Sequence, residues 1–306
     1  RTPGPLSKPE PLTRQGGPMM STPPAPGTSA PAGATAATRP PVALTIAGSD
    51  SSGGAGIQAD LKSFSALGAY GMSVIVALTA QNTTGVTGVL ATPPEFVTAQ
   101  LDAVTSDIRL DAVKVGMLAS AELATTVRDG LAALRAATPD LPIVVDPVMV
   151  ATSGAHLLPD DAVEALRGVL RHASLITPNL PEAAVLLDEP QANGVDEMIG
   201  QATRLLELGP ERVLVKGGHG HGAESVDVLA SADDVQVLHA PRIDTVNTHG
   251  TGCSLSSAIA ALRPQRDSWD AAVRDAKDWL SGAIAHADAL DIGAGGGPVH
   301  HFYRWW

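Results

Sequence analysis

The sequence predicts an α/β protein with a doubly wound, mostly parallel central sheet flanked by helices on both faces. Short runs of Val, Ile, Leu and Ala alternate along the chain with stretches in which apolar residues recur at helical spacing. This alternation is typical of successive βαβ units, whose right-handed crossovers build a parallel sheet. Aromatic residues make up only 3% of the chain, so the core has to be aliphatic.

The first forty residues differ in composition from the rest. Residues 1–40 consist largely of Pro, Ala, Gly, Ser and Thr and hold hardly any large apolar side chain. Such a segment cannot bury enough surface to offset the entropy lost on ordering. We therefore expect a disordered tail over 1–40 and one domain over 41–306.

The first strand and helix set the pattern of the domain. Residues 42–47 are an apolar run, as expected of a strand buried on both faces. A glycine-rich stretch over 48–56 separates this run from a helical pattern that ends at Gly68. The unit recurs, with strand-like runs at 74–78, 112–115, 143–145, 174–176 and 213–215 and helical patterns near 95–107, 120–136, 160–171 and 195–208.

The last third of the chain departs from this alternation. Residues 225–229 and 235–238 predict an antiparallel hairpin near the sheet edge. Residues 269–290 predict a long amphipathic helix. Lys277 falls one position off the apolar stripe of that helix, which is typical of a solvated face.

Glycine and polar residues follow most of the predicted parallel strands. Ligands of doubly wound sheets bind beyond the carboxyl ends of the strands, so we expect these segments to share one rim. Neither glycine-rich stretch has the P-loop or the dinucleotide spacing, which disfavours a Rossmann dehydrogenase. The segments are 48–56, Gln81-Asn82-Thr83, Gly116-Met117, Asp146-Pro147, Thr177-Pro178-Asn179 and Lys216-Gly217-Gly218-His219.

The stretch 247–261 is where we expect the chemistry. Gly250 and Gly252 let the backbone approach a ligand, and a helical pattern follows at once. The first amides of a helix lack intrahelical acceptors and favour a phosphate or a developing alkoxide. Cys253, the single cysteine, lies in that field, which predicts a pKa drawn down from about 8.5 toward neutrality and a role as base or nucleophile. The alternative is a small buried residue at a tight turn.

Bulk properties narrow the class of partner. The formal net charge of −12 argues against a nucleic-acid or anionic-membrane surface, so a small molecule is the expected partner. No apolar run approaches the roughly 20 residues that span a bilayer. A single cysteine excludes an internal disulfide and fits a reducing compartment. We expect a cytoplasmic protein.

Three motifs together identify a resemblance. They are Gly250-Thr251-Gly252-Cys253 before a helix, Asn179-x-x-Glu182 after a strand, and the block from Gly53 to Asp60. With them, the chain from about Val42 to Phe302 resembles the hydroxymethylpyrimidine and phosphomethylpyrimidine kinases of thiamine biosynthesis, in the ribokinase-like superfamily. The resemblance implies phosphorylation by MgATP of 4-amino-5-hydroxymethyl-2-methylpyrimidine and then of its monophosphate. ATP and Mg²⁺ are the implied cofactors and a homodimer is the implied assembly.

The resemblance also implies roles for individual residues. Cys253 would be the base, and the amides of Gly250, Thr251 and Gly252 would stabilise charge on the transferred group. Gln81 would hydrogen-bond the aminopyrimidine edge, because an amide both donates and accepts. The other implied substrate contacts are Asp60, Gly48, Met117 and Val148. A surface carboxylate and a core methionine are the alternatives for Asp60 and Met117.

Phosphate and metal contacts follow from the same resemblance. Lys216 and Lys277 would meet the ATP phosphates, with Asn179 near the nucleotide as well. Asn179 and Glu182, joined by Asp146, would hold Mg²⁺ through water. The alternative for Asn179 and Glu182 is a helix N-cap with its capping-box glutamate.

The chain departs from the family at two positions. Val246 and Ala294 stand where the family tends to carry lysines, which removes two positive charges near the predicted phosphate end unless Lys277 compensates. Pyridoxal kinase, in the same superfamily, is the first alternative function. A catalytically silent pyrimidine-binding sensor is the second, but it would need a ruined loop or metal motif, and both motifs are intact.

Overall fold

The computed structural model describes residues 39–149, 162–218 and 222–306. The predicted tail lies outside these ranges except for Arg39 and Pro40. His219 and the first two residues of the helix predicted over 160–171 also lie outside them. Pro40–Trp306 forms one unit.

The strands of the described ranges form one sheet. They are β1 (Val42–Gly48), β2 (Tyr70–Asn82), β3 (Gly85–Ala91), β4 (Ala112–Val115), β5 (Ile143–Val145), β6 (Leu175–Ile176), β7 (Arg212–Lys216), β8 (Glu224–Ser231) and β9 (Val235–Pro241). Their order is β3-β2-β1-β4-β5-β6-β7-β8-β9. The six strands from β2 to β7 in this order pair in parallel, whereas β3, β8 and β9 are antiparallel additions at the edges. The predicted doubly wound, mostly parallel sheet is confirmed.

Helices cover both faces of the sheet. They are α1 (Gly56–Ala66), α2 (Pro94–Thr105), α3 (Ala121–Ala137), α4 (Val163–Leu170), α5 (Leu180–Leu187), α6 (Val195–Leu205), α7 (Thr251–Leu262) and α8 (Trp269–Ala285). One apolar core joins α2 to α6 with side chains such as Leu44 and Ile46 of β1. A second core joins α1, α7 and α8 with the opposite face, which includes Ala43. Successive strand residues point to opposite faces, so a strand buried on both sides needs an unbroken apolar run.

Two elements differ from the sequence prediction. β2 extends from Tyr70 to Asn82, well past the predicted 74–78, and turns back as β3, which was not predicted. The residues of β3 are largely exposed, so no buried face imposes an apolar alternation that the sequence could show. The helix predicted over 269–290 ends at Ala285, and a 3₁₀ turn follows at Ala287–Leu290.

Lys277 of α8 corrects a further expectation. The side chain is buried, whereas a position off the apolar stripe predicted a solvated face. Burial is possible because Lys277 has a carboxylate partner on the neighbouring strand β8. No helix in the described part of the chain is long and apolar enough to cross a bilayer.

Candidate active site

A cavity of about 620 Å³ lies where the loops after the parallel strands meet the start of α7. Its volume suits a small organic molecule. All but one of the residues predicted for the site line this cavity, although their roles stay predictions. They are Gly48, Gln81, Met117, Asp146, Val148, Asn179, Glu182, Lys216, Gly250, Thr251, Gly252, Cys253 and Lys277.

The turn before α7 takes its shape from glycine. Gly250 caps α7 with φ +80°, in the left-handed region that favours glycine. A Cβ there would also overlap the carbonyl oxygen of Gly54. At Gly252 a Cβ would lie 3.3 Å from Lys216 Nζ and 3.4 Å from Asp146 Oδ2. The first turn of α7 therefore lies directly against a lysine–carboxylate cluster.

Cys253 lies in this first turn, but its protonation differs from the prediction. Burial raises the pKa of the thiol to about 11, against the opposing effect of the Lys114 ammonium. The charges of Asp60 and Asp146 raise the pKa further, and a hydrogen bond from the Gly56 amide lowers it. The predicted shift toward neutrality is therefore wrong, because burial and two neighbouring carboxylates raise the pKa of the thiol.

Asp60 is the one predicted site residue that does not line the cavity. It is fully buried behind the wall, where it accepts hydrogen bonds from Lys114 Nζ at 2.9 and 3.0 Å. It also accepts hydrogen bonds from Thr45 Oγ1 at 2.6 Å and from Ser257 Oγ at 2.7 Å. The expectation that Asp60 faces the substrate is therefore wrong, since its carboxylate is occupied by three partners of the core.

Lys114 was missed by the sequence analysis and lies at the cavity wall. Burial acts to lower its pKa, but the charges of Asp60, Cys253 and Asp146 and the hydrogen bond to Asp60 together outweigh burial and hold the pKa well above its usual range. The ammonium is thus charged at neutral pH. One signal was available in the sequence, because a lysine inside the otherwise apolar run 112–115 has to find a buried partner.

A second cluster joins β5, β7 and α5. Lys216 Nζ lies 2.7 Å from Asp146 Oδ1, to which the Thr177 hydroxyl donates at 3.0 Å. Burial raises the pKa of the Glu182 carboxyl to about 7; the Lys216 charge opposes this rise and the Asp146 charge adds to it. Two carboxylates and one ammonium therefore share a small buried volume.

Asn179 and Glu182 form the capping box that the sequence analysis gave as the alternative. Asn179 Oδ1 accepts from the Glu182 amide at 2.9 Å, and Glu182 Oε2 accepts from the Asn179 amide at 2.8 Å. Both residues nevertheless line the cavity. The box fixes the position of the Glu182 carboxyl at the rim. Among the described residues, no three His, Cys, Asp or Glu side chains are grouped as a metal site would need.

Lys277 reaches the cavity from α8. Its Nζ lies 2.6 Å from Asp227 Oδ2 and 3.3 Å from the carbonyl oxygen of Ser225. The other oxygen of Asp227 accepts from the Gly217 amide at 2.9 Å, which ties α8 to the loop after β7. Asp227 was missed, although a carboxylate between Val226 and Val228 in a predicted strand is a signal of a buried ion pair.

Asp50 and His249 were also missed. Asp50 opens the glycine-rich loop after β1 and accepts hydrogen bonds from Ser52, Gly54 and Ala55. His249 Nε2 lies 2.8 Å from Asp50 Oδ2. Burial alone would raise the pKa of Asp50, but the bonds from His249, Ser52 and the backbone hold it at about 2. The only local hint was that Asp50 lies within the glycine-rich stretch 48–56 and that His249 precedes Gly250.

This sheet, with a glycine turn leading into a helix and with paired charges at its carboxyl rim, defines a ribokinase-like protein. The structure is similar to the ADP complex of Bacillus subtilis pyridoxal kinase, with a TM-score of 0.78 and 34% identity over 87% of this chain and 99% of that one. It is also similar to phosphomethylpyrimidine kinase from Clostridium difficile 630, with a TM-score of 0.69 and 42% identity over 80% of this chain and 99% of that one.

Sequence comparison narrows the class to one family. The model of the phosphomethylpyrimidine kinase family matches residues 50–300. The hydroxymethylpyrimidine/phosphomethylpyrimidine kinase of Salmonella typhimurium is 56% identical over 265 residues, which cover 86% of this chain and 98% of that protein. This chain belongs to the phosphomethylpyrimidine kinase family, and the resemblance predicted from its motifs is confirmed.

Proposed function

We propose that the chain is an ATP-dependent kinase that phosphorylates 4-amino-5-hydroxymethyl-2-methylpyrimidine and its monophosphate to the pyrophosphate used in thiamine biosynthesis. One observation carries the proposal. The same cavity holds an amide suited to a pyrimidine edge, Gln81, and an anion-binding helix start beside Lys216. The name of the Salmonella typhimurium relative supports the same activity.

The substrate ring is proposed to lie between Gln81 and the loop after β4. Met117 packs against Gly48, where a Cβ would overlap its terminal methyl group, and so forms a flat apolar wall. Val148 adds a second apolar contact. The Gln81 amide supplies hydrogen bonds at one edge of the ring. In this proposed pose the hydroxymethyl group would point toward Cys253 and the start of α7.

Phosphoryl transfer is proposed to occur at the start of α7. The amides of Gly250, Gly252 and Cys253 would stabilise negative charge on the transferred group, each by roughly 3 kcal/mol. The Thr251 amide, which was also expected to do so, already donates to the Thr248 carbonyl oxygen at 3.3 Å. With a pKa of about 11, the Cys253 thiol is protonated at neutral pH and can serve as base only after losing its own proton. A loose transition state needs little help from a base, so Cys253→Ala should lower kcat without abolishing turnover.

ATP is supported as the phosphoryl donor by the ADP complex of the Bacillus subtilis relative. Lys216 and Lys277 are proposed to meet its phosphates, in exchange for part of their contact with Asp146 and Asp227. The family tends to carry lysines at positions 246 and 294. In this chain Val246 and Ala294 occupy them, so neither position supplies a positive charge.

The carboxylates of Glu182 and Asp146 fit Mg²⁺, which prefers oxygen ligands and keeps much of its water. Asn179 is proposed to act through the capping box, because its side-chain oxygen already accepts from the Glu182 amide. Burial raises the pKa of Glu182 and so disfavours its ionised form. A bound cation would stabilise that ionised carboxylate, which supports a cation site here. Bound Mg²⁺ would neutralise charge on the β- and γ-phosphates.

The alternative activity is phosphorylation of pyridoxal, the substrate named for the Bacillus subtilis relative. An assay of ADP release with MgATP should therefore offer the pyrimidine alcohol, its monophosphate and pyridoxal in parallel, with mass spectrometry of the products. We expect the pyrimidine pyrophosphate, and a Lys216→Met control should lose activity. Turnover of pyridoxal alone would overturn the proposal, and binding without turnover would indicate a sensor.

We also propose a homodimer in the cytoplasm. The cytoplasmic assignment rests on the use of ATP and on the single cysteine. The dimer rests on an edge surface formed by Leu78 and Leu90, with exposed fractions of 48% and 68%. Leu78 and Leu90 are cross-strand partners at the open edge of the sheet. Exposed apolar edge strands invite pairing with another chain, so a second copy would protect this one.

A further inference from the structure

His249 occupies a fixed position beside the substrate cavity. Its amide donates to the carbonyl oxygen of Gly297 at 3.0 Å, and its own carbonyl accepts from the Val299 amide. Its ring packs on Gly54, where any Cβ would collide with it. The backbone and the ring are therefore held from two sides.

Asp50 determines what the Nε2 nitrogen of His249 can do. An ionised carboxylate only accepts hydrogen bonds, and Asp50 is ionised at neutral pH because its pKa is held at about 2. The 2.8 Å contact with His249 Nε2 therefore requires a proton on Nε2. This holds whether or not the other ring nitrogen is protonated, so Nε2 is a donor in either state.

The next side chain in this chain of contacts is Gln81. Its Nε2 lies 3.5 Å from His249 Nε2, and its Oε1 lies 3.3 Å from Thr79 Oγ1. In that orientation two N–H donors face each other. The Thr79 hydroxyl would also have to supply two acceptors with one proton, because it already donates to the Ser49 carbonyl at 2.9 Å.

Rotating the Gln81 amide by half a turn removes both conflicts. Oε1 then faces the Nε2–H of His249, whose single proton it shares with Asp50 Oδ2 as the longer arm of a three-centre hydrogen bond, and the amide nitrogen donates to Thr79 Oγ1. One lone pair and one N–H of Gln81 remain for the cavity, in a fixed order. We propose that His249 is a positioning and specificity-determining residue, which sets the orientation of the Gln81 amide and so the order of donor and acceptor presented to the substrate ring.

The proposal rests on the proposed function in one respect, namely that Gln81 contacts the ring. A 4-aminopyrimidine edge offers a donor beside an acceptor, whereas the 4-oxo analogue offers an acceptor beside a donor. An amide held in one orientation accepts only one of these edges, while an amide free to rotate accepts both.

The test compares kcat/KM for the aminopyrimidine alcohol with that for its 4-oxo analogue. We expect His249→Ala to reduce this ratio about tenfold, chiefly through KM for the pyrimidines, with KM for ATP unchanged. His249→Gln, which keeps an N–H donor, should restore the ratio. In a Gln81→Ala background His249→Ala should have no further effect on the ratio, because His249 acts through Gln81. An unchanged ratio, or an equal reduction without Gln81, would overturn the proposal.

A second readout does not depend on turnover. Nitrogen-15 NMR of the wild-type protein should show a protonated Nε2 for the histidine whose signals vanish in His249→Ala. An unprotonated Nε2 would overturn the positioning role. A wild-type protein that fails to phosphorylate the pyrimidine but keeps a protonated Nε2 would contradict the proposed function instead.

Discussion

Individual residues at the cavity are organised in lysine–aspartate pairs. Lys114, Lys216 and Lys277 each reach the wall, and each has an aspartate 2.6 to 2.9 Å away. The pairing lowers the cost of burying three ammonium groups, which alone would be several kcal/mol per ion. We propose that Lys216 and Lys277 of these pairs meet phosphate, within a chain whose formal net charge is −12.

Glu182 gives a prediction at the residue scale. Its pKa in the folded protein is raised from 4.5 to about 7, so the unfolded chain loses this proton first as the pH rises. The stabilisation that the protonated Glu182 carboxyl provides is therefore lost as the pH rises from 4.5 to 7, and it is absent at higher pH. Between pH 5 and pH 8 the wild type should lose up to about 3 kcal/mol of unfolding free energy relative to Glu182→Gln.

Urea unfolding at several pH values measures this difference. Glu164→Gln is the matched control, because the Glu164 side chain is 76% exposed in its ion pair with Arg167. The control should follow the wild type at every pH. Parallel curves of stability against pH for the wild type and Glu182→Gln would contradict the raised pKa of Glu182.

The Glu182→Gln variant should also lose affinity for MgATP, because one carboxylate of the proposed metal site is gone.

At the scale of elements, the placement of α7 depends on the backbone conformation of the glycine at its start. Gly250 has both a positive φ and a carbonyl oxygen in the way of any Cβ. Gly68 has nearly the same φ, +77°, but its nearest obstacle is the end of the Gln265 side chain at 3.9 Å. Comparing alanine at the two positions separates the cost of the backbone conformation from that of the collision.

We expect Gly68→Ala to cost about 1–2 kcal/mol of unfolding free energy, the usual cost of a left-handed alanine. Gly250→Ala should cost more than about 3 kcal/mol and should reduce kcat at least tenfold, because the loop of Gly54 must shift away from α7. Chemical unfolding and the ADP-release assay measure the two effects. Equal losses of stability for the two variants would show that the collision is relieved at no cost.

Features that involve neighbouring residues could be inferred from the sequence. The left-handed glycine before α7 was predicted, and the Asn179–Glu182 capping box was the stated alternative to a metal motif, because left-handed turns and caps involve neighbours in the chain. Asp60 and Lys277 were misjudged because their partners lie on other elements, Lys114 and Asp227. Helical periodicity reports which side chains are apolar, and a buried ion pair leaves no mark in it.

For the whole molecule, the open edge at β3 predicts the state of assembly. Light scattering after size-exclusion chromatography should give the mass of a dimer. Leu90→Lys places a charge in the edge surface and should give a monomer. The control is Val235→Lys, since Val235 is 40% exposed at the start of β9, on the opposite edge of the sheet. A monomeric wild type, or a Leu90→Lys variant that stays dimeric, would contradict this assignment.

The partners of the buried Asp60 carboxylate are synthesised at different times. Lys114 follows it by 54 residues and Ser257 by 197. At ribosomal rates of about 5–20 residues per second, the lysine is made roughly 3 to 11 s after Asp60 and the serine roughly 10 to 40 s after it. The cation thus becomes available to the nascent chain well before the hydroxyl group. A growing chain therefore contains the cationic partner of its central carboxylate before α7, the helix at the active site, has been translated.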